Sequence, residues 1–361
     1  MGMLLRRAET NIWQRQKALP FSRQPGVRKP LSDGSDSVRL VAVQMNLSRF
    51  DGTTPWRFEK KIAKLMKQVK PHIAKDKPTI VAFPEFAGIP LVFMGSPLAT
   101  LLPIKELSIL SLLLGNLPST IINLIRYRKG IANALLRSLD EDIRAVYEKV
   151  FSDVARKYGV YLVAGSAPIT VNGKGPYNTS YFFDPYGSRL SIQRKVNLTS
   201  DEPGLGLVQS ELKDIQAVKF TVGKKQATVG VEICLDAFNP YIETDMRKPA
   251  QEGDVRGKMR ELEANILIQI SANPGKWFGT LPNGTPQDVD WREGLDDQIQ
   301  ENPTAKYGLN PMAVGTLFKG ITFEGVSTII ADKALTKDDS GIVAKADTHT
   351  GETIVSADVK L

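Results

Sequence analysis

Gly230-Val231-Glu232-Ile233-Cys234-Leu235-Asp236-Ala237-Phe238-Asn239-Pro240 holds the only cysteine of this 361-residue chain, and its reading decides the fold. Gln226 to Cys234 is an apolar run of strand length, and Gly223-Lys224-Lys225 separates it from a partner run at Val218 to Val222. The pair predicts a hairpin whose second strand ends at Cys234, with a turn or helix starting just after. A cysteine at such an elbow is presented to a cleft, and the backbone N–H groups that follow it can stabilise a thiolate or an oxyanion. A lone buried cysteine is also a common small hydrophobe, so position alone leaves both readings open.

Working outward, the same alternation recurs. Val38 to Leu47 (VRLVAVQMNL) reads as a strand buried on both faces, and Thr79 to Phe83 (TIVAF) as a second. Between them Trp56 to Lys75 has helical spacing, with Phe58, Ile62, Leu65, Met66 and Val69 on one side and Pro71 ending or kinking the last turn. This is a β-α-β unit of crossover length. Leu139 to Tyr158 predicts another helix, and Val160 to Ser166 the strand after it. Ser180 to Asp184 and Leu190 to Lys195 predict strands around a Pro185-Tyr186-Gly187 turn. A helix at Gly257 to Ala264 and strands at Ile266 to Ile270, Val326 to Ala331 and Glu352 to Val359 complete the reading. The class is α/β: two mixed sheets with helices outside, in one domain from Val38 to Leu361.

Composition excludes much chemistry. With one cysteine and two histidines (His72 and His349), neither an intrachain disulfide nor a Cys/His zinc site can be built. Neither histidine has a G-x-S-x-G elbow to serve. No metal or cofactor is expected. The net charge of +8 is concentrated in residues 1–30, where seven basic side chains face only Glu9, giving +6 and leaving about +2 for the rest. Residues 1–37 therefore read as a basic, flexible tail rather than a nucleic-acid-binding face. The scarcity of cysteine fits a reducing, cytoplasmic setting.

One segment departs from the pattern. From Ala87 to Ile125 the only charges are Lys105 and Glu106, and Leu107 to Ile125 (LSILSLLLGNLPSTIINLI) is 19 uncharged residues followed by Arg126-Tyr127-Arg128-Lys129. Length and flank allow a membrane span, but Gly115, Asn116 and Pro118 interrupt it. The alternatives are a buried helical pair, an oligomer face, or a lid touching a membrane surface through about 90–125.

Two further strand ends carry reactive groups. Phe83-Pro84-Glu85-Phe86 puts a carboxylate after TIVAF in an apolar setting that raises its pKa toward that of a general base. Arg194-Lys195-Val196-Asn197-Leu198 puts an ammonium at the end of another strand. Each alone is an ordinary surface residue, but strand ends converging on one sheet edge are where α/β enzymes build sites.

The order Glu85 in VAFPE, Lys195 in RKVNL and Cys234 in VGVEICLD resembles the glutamate–lysine–cysteine triad of the nitrilase, or carbon–nitrogen hydrolase, superfamily. VAVQMNL, ARKYGVYLVAGSAP, YNTSYFFDPYG and ANILIQISANPGKW resemble its supporting boxes in the same order. The resemblance implies a four-layer α-β-β-α sandwich and a small-molecule amide, N-carbamoyl (urea-type) or nitrile substrate. It assigns Cys234 as nucleophile, Glu85 as acid/base, and Lys195 with the backbone N–H of Leu235 as oxyanion stabilisers. Glu202 and Phe86 become substrate-positioning candidates, and a homodimer or larger homo-oligomer is expected. The apolar insertion at about 88–130 and the long tail depart from the family pattern. The leading expectation is an amidase-type hydrolase. A nitrilase, an acyl-transferring relative, or a non-catalytic scaffold that keeps the fold are the alternatives.

Overall fold

A computed structural model of the chain describes residues 35–102, 105–239, 253–280, 284, 286–291 and 294–361. The basic tail up to position 34 and Pro240 of the cysteine segment lie outside them. Strand β1 (Ser37–Asn46) is apolar on both faces because both are covered: Val38, Leu40 and Ala42 enter one core, Val41, Val43 and Met45 another. It pairs with β2 (Thr79–Ala82) in parallel. β3 (Tyr161–Val163), β4 (Ala167–Val171), β5 (Lys174–Phe183) and β6 (Arg189–Arg194) extend this first sheet, with β5 pairing β3, β4 and β6. β7 (Ala217–Val222), β8 (Lys225–Ile233), β9 (Ile266–Ala272) and β10 (Tyr307–Asn310) begin the second. β11 (Met312–Phe318), with β12 (Ile321–Phe323) on its flank, pairs both β9 and the end of β1 and so joins the two sheets. β13 (Thr328–Ala331) and β14 (Ile342–Lys345) close the second sheet, and β15 (Thr353–Lys360) returns antiparallel to β1.

The sheets face each other across a core of Leu40, Ile80 and Val163 on one side and Val229, Val231, Ile266, Ile268 and Leu309 on the other. Outside the first sheet lie α1 (Pro55–Val69) and, beyond α2 (Pro97–Leu101), α3 (Lys105–Gly115) and α4 (Leu117–Tyr127), the long α5 (Ile131–Tyr158). Phe58, Ile62, Tyr147 and Phe151 of α1 and α5 pack with Val81 and Phe83. Outside the second sheet, α6 (Val255–Glu261) and α8 (Leu295–Glu301), with the short α7 (Gln287–Asp290) between, supply Val255, Met259, Leu295 and Ile299 against Leu267 and Ile330. The layers are α-β-β-α, as the sequence implied.

Boundaries differ where polar residues do structural work. α1 starts at Pro55 because Thr54 Oγ1 accepts from Arg57 N (3.2 Å), and it stops at Val69, where Lys70-Pro71-His72 tightens into a 3₁₀ turn. α5 begins eight residues before the expected Leu139, after Gly130 at φ +88°. β5 begins at Lys174 rather than Ser180; its middle contains Asn178 and Thr179, polar yet fully buried, which break a hydrophobic pattern. Replacing Ile268, fully buried between the sheets, by Ala should cost about 2–5 kcal/mol. Urea unfolding would read this as a lower midpoint, and an unchanged midpoint would contradict a packed core between the sheets.

Candidate active site

Three strand ends deliver the reactive groups. After β2, Phe83 N donates to Val163 O (2.9 Å), and Pro84 then turns the chain out of the sheet. Phe86 holds φ at +61° while its N–H donates to Ser166 Oγ (2.9 Å), fixing Glu85 between two anchors. Gly165 lies against this turn, where a Cβ would stand 2.2 Å from Pro84 O. Lys195 follows β6, and its N–H donates to Asn178 O (2.9 Å). The next two amides, of Val196 and Asn197, donate to Asp236 Oδ1 at 3.1 and 2.7 Å. Asp236 sits in the 3₁₀ turn Cys234–Ala237 that follows β8, so the lysine strand end is tied directly to the cysteine elbow. Cys234 adopts φ +53°, a left-handed conformation uncommon for a non-glycine residue. Gln269 Nε2 donates to Cys234 O (3.0 Å) and Asn310 Nδ2 to Gln269 Oε1 (2.9 Å), bracing the elbow from β9 and β10.

The side chains converge. Lys195 Nζ lies 2.9 Å from Glu85 Oε1 and 2.8 Å from Glu202 Oε2. Asn178 Nδ2 donates to Glu85 Oε1 (2.8 Å) and Glu202 Oε1 (2.9 Å), bridging the two carboxylates from below. Glu202 Oε2 also accepts from Thr199 N (2.8 Å). Relative exposures of 1% for Glu85 and Lys195, 3% for Glu202 and 7% for Cys234 place the group inside the protein.

Burial dominates the electrostatics. It raises the Glu85 carboxyl above its ordinary value, against the opposing pull of Lys195. For Lys195, burial alone would lower the ammonium, but Glu202 and Glu85 outweigh it and the group is held well above its usual value, protonated. Burial and the Glu85 charge push the Cys234 thiol upward, while Lys195 works the other way. Raised in this way, the Cys234 thiol keeps its proton at neutral pH. Burial also lifts Asp236 to about 7 despite its backbone donors.

A family model for carbon–nitrogen hydrolases matches residues 39–273, and these contain all four groups. The chain belongs to the carbon–nitrogen hydrolase family. A 98-residue stretch is 37% identical to the omega-amidase NIT2 of Danio rerio, spanning 27% of this chain and 35% of that relative. Among solved structures, a carbon–nitrogen hydrolase from Helicobacter pylori G27 superposes with a TM-score of 0.57 at 17% identity, covering 91% of this chain and 90% of the other. An amidase mutant from Nesterenkonia sp. AN1, in complex with acrylamide, gives 0.56 at 14% identity, covering 90% and 91%. At these identities the structures speak to the fold.

In this carbon–nitrogen hydrolase, Lys195 touches both Glu85 and Glu202, and Cys234 stands within electrostatic reach of all three. Leu235 opens the turn after Cys234. Phe86 lines an apolar cavity of about 170 Å³ with Ile109 and Leu112 of α3, Leu135 of α5, Leu205 and Phe318. Cys234 packs with Phe238, Trp277, Trp291 and Met312, and the two tryptophans line a pocket of about 380 Å³. His72 Nδ1 meets Ser356 Oγ (2.7 Å), away from the cluster, while His349, with Nε2 3.8 Å from Glu324, lines the 380 Å³ pocket. Asn178, Asp236 and Gln269 were not singled out from the sequence. Asn178 stood inside YNTSYFF and Asp236 two residues after Cys234, but only the folded register aims them at the site.

Glu232, fully buried two residues before Cys234, is lifted by burial to about 8. Gln298 Nε2 donates to its Oε1 (3.0 Å), while Glu232 Oε2 and Gln298 Oε1 have no partner among the described residues. A proton on Oε2 supplies the donor that the Gln298 carbonyl lacks, so the pair is satisfied when Glu232 is neutral. The folded acid then keeps a proton that the unfolded one, near 4.5, has lost; stability falls as pH rises from there to about 8. Glu232→Gln retains both hydrogen bonds and should flatten that slope. Urea midpoints across this range test it, and parallel curves for parent and variant would rule it out.

Proposed function

We propose that this carbon–nitrogen hydrolase is an amidase with Cys234 as its nucleophile, acting on amides that carry an apolar acyl group. The observation that carries the reading is the buried contact of Lys195 with both Glu85 and Glu202 beside a cysteine at a left-handed elbow. The name of one structural neighbour supports it: the Nesterenkonia amidase is described with the acetamide moiety of fluoroacetamide added covalently at its active-site cysteine (TM-score 0.56, 14% identity, covering 92% and 94%).

In the reaction Glu85 takes the Cys234 proton as sulfur attacks the amide carbon. The developing oxyanion is met by Lys195 and the Leu235 N–H. Glu85 returns the proton to the leaving nitrogen, the C–N bond breaks, and ammonia or an amine departs from a thioester. Water, losing a proton to Glu85, attacks the thioester; the acid is released and Cys234 regains its proton. Lys195 keeps the Glu85 carboxylate poised, and Glu202 with Asn178 holds both in register. The cavity beside Phe86 is almost wholly apolar in its lining, which suits an alkyl chain rather than a second polar group.

Cys234→Ala should abolish ammonia release while the fold is kept. Glu85→Gln should slow turnover by roughly 10²–10⁴-fold, and Lys195→Ala by about 10²–10³-fold or more. Released ammonia measured on a panel of short amides checks all three, and substantial turnover by Cys234→Ala would overturn the mechanism. Ile109→Trp, which fills the apolar cavity, should raise KM for long-chain amides more than for acetamide-sized ones; equal effects would remove the cavity from substrate binding.

A further inference from the structure

The helices of the insertion are built inside out. Along α3 the exposed residues include Leu107, Leu110 and Leu114, spaced to form one stripe, and along α4 Ile121, Ile122 and Ile125 form another. Polar side chains are buried beneath them: Ser108 of α3, Asn116 at the junction and Thr120 of α4, beside the apolar Leu112. Ser108 Oγ donates to Ala99 O (2.8 Å) and Asn116 Nδ2 to Leu112 O (2.7 Å). Arg49 pins the arrangement to the core, donating to Leu102 O (2.7 Å) and Ser108 Oγ (3.1 Å) while its guanidinium stacks on Phe318. Ten of the eighteen exposed large apolar side chains among the described residues lie between positions 98 and 131. A water-facing helix pair would show the reverse pattern.

Charge identifies what covers this face. Between 97 and 131 there are four basic residues and one acid, and Arg126, Arg128 and Lys129 stand exposed at the end of α4 as a collar beside the apolar stripes. A second copy of the patch would present the same excess of positive charge and offers no complement. An anionic headgroup layer over hydrocarbon offers both. The inner surface of α3 supplies Ile109 and Leu112 to the cavity beside Phe86, so one helix walls both the outer platform and the inner cavity.

We propose that α3 and α4 dock this hydrolase on an anionic lipid bilayer, and that the apolar acyl part of its substrate passes from that bilayer toward the cavity beside Phe86. The substrate class is then an amide of a long-chain, membrane-dissolved acyl group. This rests on the amidase reading for its chemistry, but the docking itself does not depend on turnover.

The test uses the full chain and vesicles of phosphatidylcholine with or without phosphatidylglycerol. The parent protein and the Cys234→Ala variant should both float with the phosphatidylglycerol vesicles and be released by high salt. The double variant Ile122→Glu/Ile125→Glu, altered only at exposed positions, should lose at least ~10-fold in vesicle partitioning yet hydrolyse a short soluble amide at the parent rate. It should also lose activity on a long-chain amide presented in vesicles. Partitioning of the double variant equal to the parent's would overturn the docking face. A parent that ignores vesicles, but forms a dimer by light scattering that the double variant dissolves, would assign the face to a second copy instead. Vesicle binding without turnover of any amide would leave the docking standing and sink only the amidase reading.

Discussion

A lysine ammonium held between two carboxylates, with all three nearly out of water, is the constraint on which the rest of this molecule depends. Removing one partner from such a group leaves an uncompensated buried charge, a change of several kcal/mol in most proteins. Each member is therefore fixed by the backbone around it: Glu85 by the left-handed Phe86 and Ser166, Lys195 by the β5–β6 register, Glu202 by Thr199. The second sheet is bound to the same arrangement, because Asp236 accepts the amides that follow Lys195 from the turn that begins at Cys234. The two sheets are thus tied at the site by side-chain hydrogen bonds, as well as packing face to face and sharing β11.

Burial first, and then the neighbouring Glu85, explain why the thiol stays protonated at rest. A thiolate would place a negative charge beside the Glu85 carboxyl in a region of low dielectric. Moving the proton from Cys234 to a Glu85 carboxylate leaves the total charge of the cluster unchanged. Transfer within the cluster is therefore far less costly than ionisation to solvent, and a cysteine raised by its surroundings is consistent with a nucleophile that is activated only as substrate arrives.

Much of this was legible in the sequence, and the reasons for the remainder are physical. Strands β1, β2, β8 and β9 are covered on both sides and read directly as apolar runs; their ends named Glu85 and Cys234 as candidates. Lys195 was legible because a turn and a short strand precede it. Asn178 was not, because a buried polar residue interrupts the very periodicity by which a strand is recognised. Asp236 carries no local signal, because its partners, Val196 and Asn197, lie some forty residues earlier in the chain. The short strands β10, β12 and β14 owe their form to neighbours in the sheet rather than to their own composition.

The insertion was legible as apolar but not as inverted, since its composition alone fits a buried pair or a span equally well. Topology limits it further. Glu85 precedes α3 and α4 while Lys195 follows them, and the two side chains touch at 2.9 Å. Both ends of the insertion therefore lie on the same side of any bilayer. Each helix has 11 residues, the two are bent by 94°, and no single helix among the described residues is long and apolar enough to cross a membrane. At 1.5 Å per residue each reaches about 16 Å, roughly half of a ~30 Å hydrocarbon core. A hairpin of this size can rest in one leaflet and return, but it cannot separate base from nucleophile. The contact between Glu85 and Lys195 thus keeps both ends of the insertion on one side of any bilayer.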